Sequence, residues 1–238
     1  MDSRVPEIRK HLKKKLDAYR YEHTLGVEFT CQALAMRYGY DLDKADLAGL
    51  LHDSAKRFEN PVMLQKCLDR GIPVTAEEER DPSLLHAKLG AWMAENKYGV
   101  DDPEILSAIT CHTTGKPGMS LLDKILYVAD YIEPRRSKAA NLPEMRKLAF
   151  IDLDQACFEI MESILEYLKS TGCQIDPMTE AACQDMRRVV SEKQKETAGA
   201  AGETDQDKEE QSVESVKRNG KTCSRGFGRE KRRRRKNY

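Results

Sequence analysis

The sequence lacks the features that would hold a chain together from outside its core. Seven cysteines, an odd number, are scattered without one Cys-x-x-Cys pair. That pattern excludes a zinc ribbon and argues against a disulfide framework; it fits a reducing compartment, so a cytoplasmic location is expected. No run approaches the roughly 18 apolar residues of a membrane span, and no membrane partner is expected. The opening MDSRVPEIRKHLKKK has no apolar stretch of the signal-peptide kind. Aromatics make up 6% of the chain, with Trp92 the one tryptophan, and apolar residues 39%. One compact core is therefore favoured over two. No segment alternates convincingly with the period of a strand, and no internal repeat is found. The expected fold class is all-α.

Charge is balanced in total, 40 basic against 40 acidic residues, but not in distribution. From Lys217 to the end there are eleven Lys and Arg against the single acid Glu230. The remainder carries 29 basic and 39 acidic residues. An acidic body with a basic tail results. The expected division is a helical domain over residues 1–190 and a low-complexity, disordered tail over residues 191–238.

The body reads as successive amphipathic helices. Val5, Ile8, Leu12 and Leu16 mark the first. A turn over Asp17–His23 is expected to lead into a second, with His23 on the face of Val27, Cys31 and Leu34, closed by Gly39. Asp43 is the expected cap of a third, whose apolar stripe runs into His52. Further helices are expected from Asn60, over Ser83–Lys97, from Asp102-Pro103 to His112, over Ser120–Ile132, Leu142–Leu148 and Ile151–Thr171, and from Met178 to about Lys195. Ala76–Pro82 is expected to be a loop or a short helix, and Thr113–Gly118 a loop.

Chemistry concentrates at Leu50-Leu51-His52-Asp53-Ser54-Ala55-Lys56. Adjacent helical residues point about 100° apart, so His52 and Asp53 share a centre only at a helix edge or a bend. A buried imidazole and carboxylate need a partner, and a divalent metal suits both. Four of the five histidines, His23, His52, His86 and His112, enter or follow an apolar helical face, as do Asp53 and Asp130. His11 lies on the polar first helix. Six separate hydrogen-bond satisfactions in one core would be needed if these six residues were merely structural.

The segments YEHTLGV, LLHDSAK, LLHAKLGAW, AITCHTTGKPGMSLLDKILYVADYIEP and DPMTEAA resemble the HD-domain hydrolase superfamily, and more closely its YqeK-type symmetrical bis(5′-nucleosyl)-tetraphosphatases. The likeness runs from about Arg9 to Val189. It implies an HD-domain helical bundle and an enzyme, a phosphoanhydride hydrolase that cuts dinucleoside tetraphosphates, diadenosine tetraphosphate giving two ADP. By the resemblance, His23, His52, Asp53 and Asp130 match metal ligands and are the catalytic set. The mixed N/O donors suit iron, with manganese as the alternative, as one or two ions. His86 and His112 match positions beside the phosphates or at a second metal. Lys56, Thr113, Thr114 and Arg136 join them as expected substrate contacts, while Arg135 serves the helix end equally well. Two segments depart from the family pattern, Arg136–Pro143 and DPMTEAACQDM, and both are expected on the nucleotide side of the pocket.

Two other readings compete: an HD nucleotidase or phosphodiesterase acting on another nucleotide, and a non-catalytic nucleotide- or RNA-binding adaptor. The basic run KRNGKTCSRGFGREKRRRRKNY would attract RNA or a ribosome without sequence preference. A homodimer is a further expectation, resting on Trp92.

Overall fold

The computed structural model of the chain describes the backbone of residues 2–219 and the side chains of residues 2–198. The chain divides into two units, Met1–Ser191 and Glu192–Tyr238. Among the described residues there are helices and no strands: α1 (Val5–Lys15), α2 (Ala18–Tyr38), α3 (Leu42–Leu51), α4 (Asn60–Asp69), α5 (Ala76–Arg80), a single 3-10 turn (Pro82–Leu84), α6 (Leu85–Tyr98), α7 (Pro103–Cys111), α8 (Leu121–Ile132), α9 (Leu142–Leu148), α10 (Leu153–Thr171) and α11 (Pro177–Asn219). No helix among them is long and apolar enough to cross a membrane.

Several boundaries move from their sequence expectation, each for a capping reason. The second helix starts at Ala18 and takes in the expected turn, because the Asp17 side chain accepts from the Arg20 amide. His23 is thus already one turn and more inside a helix. The third starts one residue before Asp43, because Asp41 accepts from the Lys44 amide. Thr75 and Glu78 form a reciprocal capping box that secures the short α5. The sixth helix begins at Leu85 rather than Ser83, after the 3-10 turn.

The first unit is built on the close pair α2 and α3, with α8 lying against α2, α3, α7 and α10. The approach of α2 to α3 needs Gly49, where a Cβ would stand 2.7 Å from the Glu28 Cα. Val27, Leu34, Leu50, Leu51, Ile109, Leu122, Ile125 and Ile160 fill the main core. A smaller cluster holds Ala55, Met63, Cys67, Leu85, Leu89 and Met93. Trp92 packs against this second cluster, with the Arg70 guanidinium 4.7 Å above its ring, so the indole has a partner within its own chain. The six described cysteines are free, and five are buried. The described residues of the second unit, 192–219, are helical. Residues 191–198, expected to open a disordered tail, instead continue α11; the side chains from 199 onward, including those of the basic run, lie outside the described residues.

Candidate metal and phosphate site

Four helices meet at one buried centre. His23 comes from the second turn of α2, His52 caps the C-terminus of α3, His112 caps that of α7, and Asp130 lies near the end of α8. Helix α3 stops at Leu51, and the chain continues as tight turns in which the Ser54 amide bonds Leu51 O at 3.1 Å and the Lys56 amide bonds Asp53 O at 3.0 Å. That break is what lets neighbours 52 and 53 face the same centre. Asp53 is its hub. Its Oδ1 lies 3.5 Å from His86 Nε2 and 3.7 Å from His112 Nε2, while Oδ2 lies 3.5 Å from His52 Nε2 and 3.8 Å from His23 Nε2.

The histidines are all presented the same way. His52, His86 and His112 each donate Nδ1–H to the carbonyl three residues back, at Gly49, Ser83 and Ile109, over 2.7, 2.6 and 2.7 Å. His23 uses Nδ1 on Glu133 Oε1 at 3.1 Å. With Nδ1 engaged outward on every ring, each Nε2 points inward. His86 and His112 meet there at 3.1 Å between Nε2 atoms, with the Thr113 hydroxyl 3.1 and 3.3 Å from the same two nitrogens.

A divalent cation fits this donor set. The buried Nε2 atoms of His23 and His52 have no hydrogen-bond partner; His23 Nε2 is 3.0 Å from Asp130 Oδ1 but out of line for a bond. The ligand atoms of His23, His52 and Asp130 lie within 4.8 Å of one another, as do those of His52, Asp53 and His112. Two groups sharing His52 could hold one ion or two.

The electrostatics agree with a cation site. Burial pushes the Asp53 carboxyl up, but the surrounding His52, His112 and His86 rings hold it well below the usual range. Asp130 is likewise lowered, burial being outweighed by His23 and Arg136. Burial and the adjacent His112 pull His86 down to about 3, so it is a neutral ring. His23 is raised: burial opposes its charge, while Asp130 and Glu133 favour it.

Beside this centre opens a cavity of about 1070 Å³, walled by His112, Thr113, Thr114, Asp130 and Arg136 at one end. Further along it are Tyr131, Lys138, Asn141, Ser163, Tyr167, Gln174 and Thr179. Both departing segments therefore border it. Arg136 bonds Asp130 twice, Nη2 to Oδ1 at 2.9 Å and Nε to the carbonyl at 3.0 Å. Arg135 points away to Glu22, 3.4 Å off. Lys56 is half-buried, its ammonium lowered by that burial though Asp53 opposes it, and it is not among the residues lining the cavity.

Two members went unforeseen. Arg20 Nη1 lies 2.7 Å from Asp53 Oδ2. Glu133, fully buried, orients His23 and also accepts from the Arg135 amide at 2.7 Å. Gly26 makes room for it, since a Cβ there would be 2.5 Å from Glu133 Oε2.

The HD domain family model matches residues 20–135, the span from Arg20 to the residue after Pro134. The symmetrical bis(5′-nucleosyl)-tetraphosphatase of Bacillus subtilis is 40% identical over 168 residues, covering 71% of this chain and 89% of that protein. The chain belongs to the HD-domain family of symmetrical bis(5′-nucleosyl)-tetraphosphatases. A second member of this family, from Halalkalibacterium halodurans, is 38% identical over 174 residues, 71% of this chain and 90% of its own. Among solved structures, a Clostridium acetobutylicum protein described as a predicted HD superfamily hydrolase involved in NAD metabolism superposes with a TM-score of 0.74 at 37% identity. That match covers 77% of this chain and 96% of the other.

Proposed function

We propose that the chain is a metal-dependent hydrolase that cuts dinucleoside tetraphosphates symmetrically, releasing two nucleoside diphosphates. The observation that carries the reading is the inward convergence of unpartnered His23 and His52 Nε2 atoms on Asp130, in a chain 40% identical to a symmetrical tetraphosphatase. His23, His52, Asp53 and Asp130 would hold the cation. When bound, it supplies a Lewis acid and lowers the pKa of a coordinated water to near neutrality. Two imidazoles and two carboxylates form a mixed N/O set, which favours iron, and after it manganese, over a thiolate-type zinc site.

The remaining roles belong to the chain's own groups. Glu133 and the Gly49 carbonyl orient the ligand rings of His23 and His52, and the Ile109 carbonyl orients His112. His112, Thr113 and Arg136 on the cavity wall, with His86 beside His112, would face the phosphates and oppose charge that builds on their oxygens in the transition state. Arg136 brings a planar donor fork suited to phosphate. Thr114 and Lys56 support the same end, the one at the cavity wall and the other from behind Asp53. Tyr131, Asn141 and Ser163 form a bonded series, Tyr131 Oη to Asn141 Oδ1 at 2.7 Å and Asn141 Nδ2 to Ser163 Oγ at 3.0 Å, on the nucleoside side. Free, mostly buried thiols support action in a reducing cytoplasm.

The test is product analysis. Purified chain incubated with diadenosine tetraphosphate should yield ADP alone. AMP with ATP would overturn the symmetric cut while keeping the site.

A further inference from the structure

We infer that the hollow between the C-terminal ends of α1 and α6 is a second anion site, shaped for a small polyphosphate and separate from the catalytic cavity. It measures about 730 Å³ and is lined by Lys10, His11, Lys14, Lys15, Lys97 and Tyr98, none of which borders that cavity. Two other charged side chains on its rim are already engaged. Glu7 sits 3.7 Å from Lys10, and Arg4 is bound to Asp2 and to the Gly99 carbonyl.

The helix dipoles give each helix a reason to end in lysine. They give no reason for two such ends to meet. Here Lys97 Nζ lies 3.2 Å from His11 Nε2, so an ammonium donates to a neutral ring, and the His11 and Tyr98 rings meet edge-on at 5.7 Å. Arg57, in the turn after α3 and stacked 4.5 Å over the Phe58 ring, is not among the lining residues but is near enough to oppose charge on His11 and Lys97. The crowding is costly. After burial, Lys97, Arg57, Lys15 and Lys14 all oppose protonation of His11. After burial, Arg57 and Lys15 oppose the charge on Lys97.

Two donors at this crowd are also unsatisfied. Arg57 Nε and the Tyr98 hydroxyl are buried atoms without a hydrogen-bond partner, a loss the fold carries unless an acceptor arrives. One ligand would answer both observations: several anionic oxygens on a flexible chain. Lysines from two helices match a multiply charged anion better than a single phosphate, and the volume lies within the range of about 300–1,000 Å³ usual for small-molecule sites.

The experiment uses the full-length, metal-loaded protein with inorganic tripolyphosphate as the probe. Lysine acetylation would be mapped by mass spectrometry, Lys138 reporting the catalytic cavity and Lys147 on α9 serving as reference. Protection of Lys14, Lys15 and Lys97 by several-fold, in addition to Lys138, is the expected result. Equilibrium binding should show two equivalents in the wild type and one in a Lys14→Ala/Lys97→Ala variant that hydrolyses dinucleoside tetraphosphate at the wild-type rate. Protection confined to Lys138, or a stoichiometry unmoved by the double substitution, would overturn the inference. So would protection of these lysines by a single-stranded oligonucleotide but not by tripolyphosphate, which would mark a nucleic-acid surface instead.

Discussion

The Glu133 carboxylate lies 3.1 Å from Nδ1 of His23, and the lack of a side chain at Gly26 is what admits it. The pair fixes which ring nitrogen of His23 is free to bind a cation. Glu133→Gln keeps the size but removes the charge that makes the ring a stronger donor. Metal affinity should fall about 10- to 100-fold, read by competition with a chelator, with little change in thermal stability. Gly26→Ala should act in the same direction, because its Cβ displaces the carboxylate. Unchanged metal affinity in both would separate Glu133 from the site.

The Arg136 guanidinium donates to both the carboxylate and the backbone carbonyl of Asp130. Replacing it with Ala should cost on the order of 10²-fold in kcat, the usual effect of losing one donor aimed at transition-state charge. Arg136→Lys should restore only part, since a point charge cannot reproduce the fork. Equal kcat in all three would exclude the residue from the chemistry.

Glu28 is fully buried, with Arg9 Nε 2.8 Å from its Oε1. Burial and a hydrogen bond shared with Asp46 nevertheless outweigh Arg9 and raise Glu28 to about 8. A carboxyl raised in the folded state holds its proton where the unfolded chain has lost it. Its contribution is therefore present at low pH and is lost as pH rises from the ordinary carboxyl range through about 8. Thermal melts between pH 5 and 8.5 should show wild type losing stability relative to Glu28→Gln as pH increases. Parallel curves would contradict the raised value.

Gly49 lets two helices touch, since a Cβ there would be 2.7 Å from the Glu28 backbone. Gly49→Ala should destabilise by about 1–3 kcal/mol, as overpacking does, even though alanine favours a helix. Chemical denaturation would measure it. A stabilised variant would show that α2 can move away.

The helical order and the six His and Asp positions were legible because each histidine interrupts an apolar stripe at helical spacing, which has few bland explanations. Helix starts were less so. DLD offers two capping acids at Asp41 and Asp43, and only the amide geometry chooses the first. Glu133 was invisible for another reason: beside Pro134 it resembles an ordinary helix end, and its partner His23 is 110 residues away. Arg20 lies in a polar stretch where one more cation carries no signal, yet the early start of α2 places it against Asp53. Lys56 could be read equally as solvated or as facing the site; the structure half-buries it beside Asp53.

If the cluster around Asp53 is the metal site at which hydrolysis occurs, metal and turnover must be lost together. The direct measurement is metal content per chain by mass spectrometry on anaerobically purified wild type and Asp53→Asn, with turnover of diadenosine tetraphosphate measured on the same samples. The variant should keep its helical circular dichroism and lose metal and turnover together. Full turnover in Asp53→Asn, or turnover by a wild type shown to be stripped of metal, would contradict a metal-dependent reaction at Asp53.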